Sequence, residues 1–183
     1  MAKLGAFIAL DGVDGAGNST HSKLLAKWIR ESLGVKVLLT KEPTSKPVGR
    51  LLRKYLKASK ALAPSATDAL LFAADRVEHN ERILKPALEQ GIVVVSDRYL
   101  ESSIAYQSAQ GLSIDWLLSI NRYAMKPSLN IILDISPERS LARKTQLLDK
   151  FEEAAFLKNV RRVFLQRAKV EKYPIVDTSG SVD

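Results

Sequence analysis

Short runs of apolar, mostly β-branched residues alternate along the chain with longer stretches of helical period. The runs Leu4–Leu10, Val35–Thr40, Ile92–Ser96, Leu129–Ile135 and Ile175–Val176 lack the polar alternation of a half-exposed strand. Strands of that kind belong to parallel sheets covered by helices on both faces. Helical spacing predicts helices over about 18–32, 47–58, 66–89, 99–110, 113–124, 137–144 and 152–171. The alternation predicts a three-layer α/β/α fold around a five-stranded parallel sheet, in one domain spanning 1–183. The segment 144–151 breaks the helical pattern and reads as a short, mobile, basic lid.

Composition narrows the function classes. Of 183 residues, 46% are hydrophobic and 26% charged, the proportions of a soluble globular chain. The absence of cysteine excludes thiol catalysis and a disulfide framework, and it fits a reducing cytosol. No apolar run approaches the roughly 18 residues that span a bilayer. Met1–Leu10 reads as a buried strand and not as a leader, so a cytoplasmic location is expected. The net charge of +8 is concentrated: residues 41–60 carry seven Lys/Arg against one Glu, and residues 137–173 carry ten Lys/Arg against five Asp/Glu. Two local basic zones point to anionic ligands. Aromatic residues are not interleaved with those charges, which makes a nucleic-acid platform the weakest reading.

The first predicted strand runs into Gly12-Val13-Asp14-Gly15-Ala16-Gly17-Asn18-Ser19-Thr20, and a helix follows. This is the strand–loop–helix context of a P-loop, whose backbone N–H groups cradle phosphates at a helix N-terminus. Ser19 is placed to hold Mg²⁺ and Thr20 to bond a phosphate. Asn18 stands where the motif has lysine. An amide offers only a neutral hydrogen bond in place of a full charge. The third strand ends in Asp97-Arg98 at the same sheet edge, which suits Asp97 to Mg²⁺ or its waters and Arg98 to a bidentate phosphate clamp. Helical spacing groups Tyr99, Ser103, Tyr106 and Gln107 on one face, and Phe72 with Arg76 on another. A ring beside polar donors suits a nucleobase, although on spacing alone plain core positions are the default for Phe72 and Tyr106.

These segments resemble the thymidylate kinase family. The resemblance is carried by Ala9–Gly17, Lys41-Glu42-Pro43-Thr44, Leu71-Phe72-Ala73-Ala74-Asp75-Arg76 and, most specifically, Asp97-Arg98-Tyr99-Leu100-Glu101-Ser102-Ser103-Ile104-Ala105-Tyr106-Gln107. It extends over residues 4 to about 178. It implies transfer of the γ-phosphate of ATP to dTMP, with Mg²⁺, in a homodimer. By resemblance Phe72 stacks on thymine, Arg76 and Gln107 bond its polar edge, and Tyr106 closes against the deoxyribose. Asp14 approaches the sugar hydroxyl and acceptor phosphate, and Arg98 binds the phosphates. Relatives carry an arginine inside the P-loop or basic residues in the lid. Here the loop interior has none, so Arg143, Lys144 and Lys150 are the lid candidates. Asp177-Thr178-Ser179-Gly180 resembles the loop under adenine. Two other readings remain at this point: a kinase for a different (deoxy)nucleoside monophosphate, and a nucleotide-binding pseudo-kinase silenced by Asn18.

Overall fold

The computed structural model describes residues 5–58, 66–143 and 150–180, with side chains for 5–57, 66–143 and 154–180. Five strands form a single parallel sheet: β1 (Phe7–Gly12), β2 (Val37–Lys41), β3 (Val93–Asp97), β4 (Leu129–Asp134) and β5 (Ile175–Asp177), in the order β2-β3-β1-β4-β5. The order reverses direction around β1. In sheets of this kind, ligands bind outside the carboxyl ends of the strands at such a reversal. The helices are α1 (Asn18–Leu33), α2 (Pro47–Ala58), α3 (Ala66–His79), α4 (Lys85–Glu89), α5 (Leu100–Ala109), α6 (Ile114–Ile120), α7 (Pro137–Ala142) and α8 (Lys150–Glu171). A π-helical turn, Asn80–Leu84, joins α3 to α4, within the one helix expected over 66–89.

Local chemistry explains most boundaries. Gly34, at φ 63°, closes α1 by donating its N–H to Arg30 O at 3.1 Å, the left-handed cap for which glycine carries no Cβ penalty. Its position delays β2 to Val37, two residues later than the apolar run suggests. Ser113 and Ser136 each cap a helix with the side-chain oxygen, accepting from Trp116 N and Arg139 N, and Pro137 takes the first turn of α7.

Phe7, Ala9 and Val94 present one face of the central strands to Leu84, Ala87 and Tyr99. The larger core joins Leu10, Val95 and Ile132 to Ala26 and Ile29 of α1, Ile104 of α5, and Leu157, Val160 and Phe164 of α8. Burying each such Leu, Ile, Val or Phe contributes roughly 1.5–3 kcal/mol. The expectation of strands buried on both faces holds for β1, β3 and, beyond its exposed first residue Leu129, β4. It does not hold for the edges: Leu39 in β2 and Ile175 and Val176 in β5 are exposed, because an edge strand has one sheet neighbour and less helix above it. No helix among the described residues is long and apolar enough to cross a membrane. Of the expected lid, residues 144–149 lie outside the described residues, and α8 begins at Lys150.

Candidate active site

The P-loop follows β1 without a break. Gly15 and Gly17 have φ of 82° and 85°, a region L side chains rarely enter. A Cβ on Gly15 would also lie 2.8 Å from Ser140 O, so the loop can approach α7 only with glycine there. Ser140, fully buried, donates its hydroxyl to Asp14 O and fastens α7 beneath the loop. Asn18 is buried at the loop's edge of the cleft, and its amide is turned to the loop's own backbone. Its Nδ2 donates to Gly12 O at 3.3 Å and Val13 O at 3.2 Å, so both amide hydrogens brace the loop. The neutral bond to a phosphate expected from Asn18 is therefore not offered in this arrangement, because the loop carbonyls take both donors. The backbone N–H nest and the start of α1 remain as the anion-binding elements.

A cleft of about 510 Å³ opens over this loop, lined by Asp14, Gly15, Gly17, Asn18, Ser19, Thr20, Lys41, Asp97, Arg98, Arg143, Asp177, Thr178 and Gly180. The parallel register of β2 and β3 sets Lys41 beside Asp97. Ser19 Oγ donates to Asp97 Oδ2, and Lys41 Nζ lies 3.0 Å from the same oxygen and 3.3 Å from Ser19 Oγ. Asp97 Oδ1 is buried without a hydrogen-bond partner. A hydroxyl beside an under-satisfied carboxylate is a set of hard oxygen donors that fits Mg²⁺, which binds through one or two carboxylates with waters and substrate phosphates completing its octahedron. No group of three or more His, Cys, Asp or Glu able to hold a metal occurs among the described residues. Arg143 caps α7 and donates to Gly15 O at 3.1 Å, Thr178 O at 2.8 Å and Gly180 O at 3.2 Å. Its guanidinium thus ties the P-loop to the segment after β5.

A second cavity, of about 280 Å³, is lined by Asp14, Glu42, Pro43, Leu56, Asp68, Phe72, Arg76, Arg98, Tyr99, Ser102, Ser103, Tyr106, Gln107 and Gln110. Every residue that the family resemblance assigns to dTMP lines this one cavity, brought there by the P-loop, α3, β3 and α5. Arg76 is almost fully buried. It donates to Glu42 Oε2 at 2.7 Å, Ser103 Oγ at 2.9 Å and Asn121 Oδ1 at 2.5 Å, and lies over the Tyr99 ring. Glu42 Oε1 is 2.9 Å from His79 Nδ1, and His79 Nε2 is 2.9 Å from Thr40 Oγ1. A carboxylate only accepts, so Nδ1 carries a proton toward Glu42. Three of the five guanidinium N–H groups are used by this network, and Nε is buried without a partner. Both amide atoms of Gln107 are likewise buried and unpartnered. Leaving such groups unpaired costs about 1–3 kcal/mol each, which a ligand with a matching polar edge would recover.

The two cavities meet at Asp14 and Arg98, which line both. Arg98 has φ 73°, uncommon for a residue with a Cβ. Its guanidinium donates to Gly12 O at 2.9 Å, Ser102 Oγ at 3.0 Å and Asp14 Oδ1 at 2.7 Å. Burial pulls the Arg98 pKa down, but Tyr106, Asp14 and Asp11 outweigh it and the net shift is upward. Tyr106 accepts the Asp14 N–H at 2.8 Å and packs edge-on against Phe156 and Phe164, so it serves core and cavity together. Burial pushes its phenol up to about 12, so at neutral pH it keeps its proton.

Four contributors carried no role in the sequence reading. Asp11, at the end of β1, accepts from Tyr99 N, Ser102 N and Ser102 Oγ, and so fixes α5 against the P-loop strand. Lys41 and Glu42 stood in a recognised segment, but only strand register and burial reveal their partners. Ser140 has no sequence signal beyond lying near the capped start of α7.

Comparison with known proteins accounts for this arrangement. The family described as Thymidylate kinase matches residues 10–183. The chain belongs to the thymidylate kinase family. A probable thymidylate kinase of Pyrobaculum calidifontis is 43% identical over 173 residues, covering 93% of this chain and 86% of that relative. One of Thermococcus gammatolerans is 43% identical over 196 residues, covering 98% and 91%. The crystal structure of thymidylate kinase from Ehrlichia chaffeensis superposes with a TM-score of 0.76 at 30% identity, covering 94% of this chain and 86% of that one. The chain is thus a nucleoside monophosphate kinase of P-loop type.

Proposed function

We propose that this thymidylate kinase holds ATP over the P-loop, Gly12–Thr20, and dTMP in the smaller cavity, and that the γ-phosphate crosses at Asp14 and Arg98. The observation that carries this reading is that two separate cavities share only those two residues. In the smaller cavity Phe72 stacks on the base, Arg76 and Gln107 meet its polar edge with their unpartnered atoms, Ser103 holds Arg76, and Tyr106 backs the sugar. Asp14 fixes Arg98 by their ion pair and faces the acceptor side. Phosphoryl transfer is mostly positioning and electrostatics, so these contacts are the catalysis. Ser19 and Asp97 are the residues that would hold Mg²⁺, which when bound neutralises phosphate charge. Lys144 and Lys150 are the remaining lid candidates for added cations, which would raise the rate more than they tighten ground-state binding, while Arg143 holds the P-loop to the segment after β5.

The family resemblance supports a homodimer in the cytoplasm. Leu51 on α2 and Leu70 on α3 are exposed on helices packed together, and they suit a subunit contact. The test is a coupled assay with ATP against dTMP, dUMP, dCMP and dGMP. Turnover should be highest with dTMP and should fall in Lys150→Ala at unchanged dTMP affinity. Turnover at background with all four, rescued by none of them in Asn18→Lys, would replace this reading with a binding-only one.

A further inference from the structure

We infer that Lys41 is the resident phosphate-facing cation of this chain, supplying from β2 the charge that Asn18 does not bring to the P-loop. The inference rests on the assignment of the donor nucleotide to the larger cleft, and it names a residue that assignment does not include.

The first support is what the described cations of that cleft are already doing. Arg98 is held at the junction with the second cavity by Gly12 O, Ser102 Oγ and Asp14 Oδ1, where it serves the transfer point. Arg143 is spent on three backbone carbonyls. Lys41 has one carboxylate oxygen and one hydroxyl as partners, and its side chain is 55% exposed. Asp97 itself is buried, but the ammonium end is open to the cleft, and with three donors and two partners it keeps one N–H for a further anion.

The second support is position. Lys41 Nζ lies 3.3 Å from the hydroxyl of Ser19, the residue after Asn18. The charge therefore sits next to the place a P-loop lysine would leave, reached across the sheet edge from β2. The register of β2 against β3 holds the Lys41 backbone beside Asp97, so the anchor is a strand and not a loop. Asp97 Oδ1 remains unpartnered while Oδ2 accepts from both Ser19 and Lys41. A phosphate held by the loop brings anionic oxygens beside Ser19, where the ammonium can bond them and Asp97 Oδ2 together, with no divalent cation needed.

A cation already in the open cleft differs from a lid cation in a measurable way. It contacts the donor phosphates before closure, so it acts on binding as well as on rate. The experiment is calorimetry of ADP and AMP in EDTA, with wild type, Lys41→Met, Lys41→Arg and Asn18→Lys/Lys41→Met. Losing one charge-assisted contact should weaken ADP about tenfold in Lys41→Met. AMP, which has no β-phosphate, should change by less than about twofold, and Lys41→Arg should retain ADP affinity within about threefold. The double variant should recover the loss, and turnover should follow the same order, falling about 10²-fold in Lys41→Met. The dTMP affinity reports on folding and should stay at the wild-type value throughout, and Lys41→Arg, which keeps the counter-charge of buried Asp97, should also keep the wild-type melting temperature. Equal ADP affinity in wild type and Lys41→Met overturns the inference while leaving the nucleotide assignment intact. So does a loss shared by AMP and dTMP, which marks a structural role. Failure of wild type to bind ADP overturns the assignment and the inference together.

Discussion

The base cavity and the phosphate cleft are built on opposite principles. The base cavity is walled by buried side chains whose polar groups are held by one another: Arg76 by Glu42, Ser103 and Asn121, and Glu42 in turn by His79. The phosphate cleft is made of backbone amides, exposed Ser19 and Thr20, and a half-exposed Lys41. Selecting one base requires fixed donors in a low-dielectric wall, because a mismatched partner then leaves a buried group unpaired. Holding a triphosphate requires a cradle of donors and charge that follows the phosphates through the reaction. Substitutions in the interlocked network of the first region should therefore damage fold and selectivity together, and those in the second should damage nucleotide binding and rate while sparing selectivity for the base.

Arg76→Ala should have the largest effect. It leaves Glu42 buried without its main counter-charge, at a cost of about 3–5 kcal/mol, and it removes the donor proposed to meet the base. Thermal melting and dTMP calorimetry should both deteriorate; unchanged melting would mean that the network is not holding the wall. Asp97→Ala comes next and inverts the pattern. Lys41 is solvated once released, so apo melting should change little while Mg·ATP turnover falls by roughly 10²–10³. A large loss of apo stability would make Asp97 a structural carboxylate and dissolve the contrast.

How much of this was legible in the sequence follows the same division. The five parallel strands, the P-loop and the helix residues of the base cavity lie on short-range patterns: apolar runs, glycine spacing and i, i+4 faces. Phe72, Arg76, Ser103, Tyr106 and Gln107 were readable as helix faces, and the family resemblance supplied their ligand. What was not readable depends on contacts between distant segments. Asn18 reads as a weak substitute for lysine, yet it braces Gly12 and Val13. Arg143 reads as a lid cation, yet it bonds carbonyls on both sides of the cleft. Glu42 reads as one charge in a basic stretch, and only the fold carries it into the core. The exposed edges of β2 and β5 follow from strand order, which periodicity does not encode.

Gln107→Leu should give a moderate effect of mixed sign. It removes two buried, unpartnered amide atoms, so the apo protein should gain about 1 kcal/mol and melt roughly 2–4 °C higher, while dTMP binds more weakly. A lower melting temperature would show that the amide is satisfied in the empty cavity and that the cavity is less finished than described.

The smallest effect concerns Asp11, which joins the two regions by holding α5 to the P-loop strand. Burial raises its carboxyl above the ordinary 3.8, opposed by the bonds from Ser102 and Tyr99. For a raised carboxyl, the stabilising contribution is complete below the unfolded value and is lost as pH rises through the folded one. The stability of Asp11→Asn relative to wild type should therefore increase as pH rises above about 3.8, read by denaturant titration across pH. A difference independent of pH would show that Asp11 ionises as freely in the fold as outside it.

The central claim is that the base cavity is finished before the donor nucleotide arrives and that its buried polar edge selects thymine. Calorimetry of wild type with dTMP and with dCMP, in the absence of ATP and Mg²⁺, tests it directly. The account predicts dTMP binding at least about 10²-fold tighter than dCMP, since the wrong edge would leave Arg76 or Gln107 unpaired. Equal affinity for the two monophosphates would contradict it.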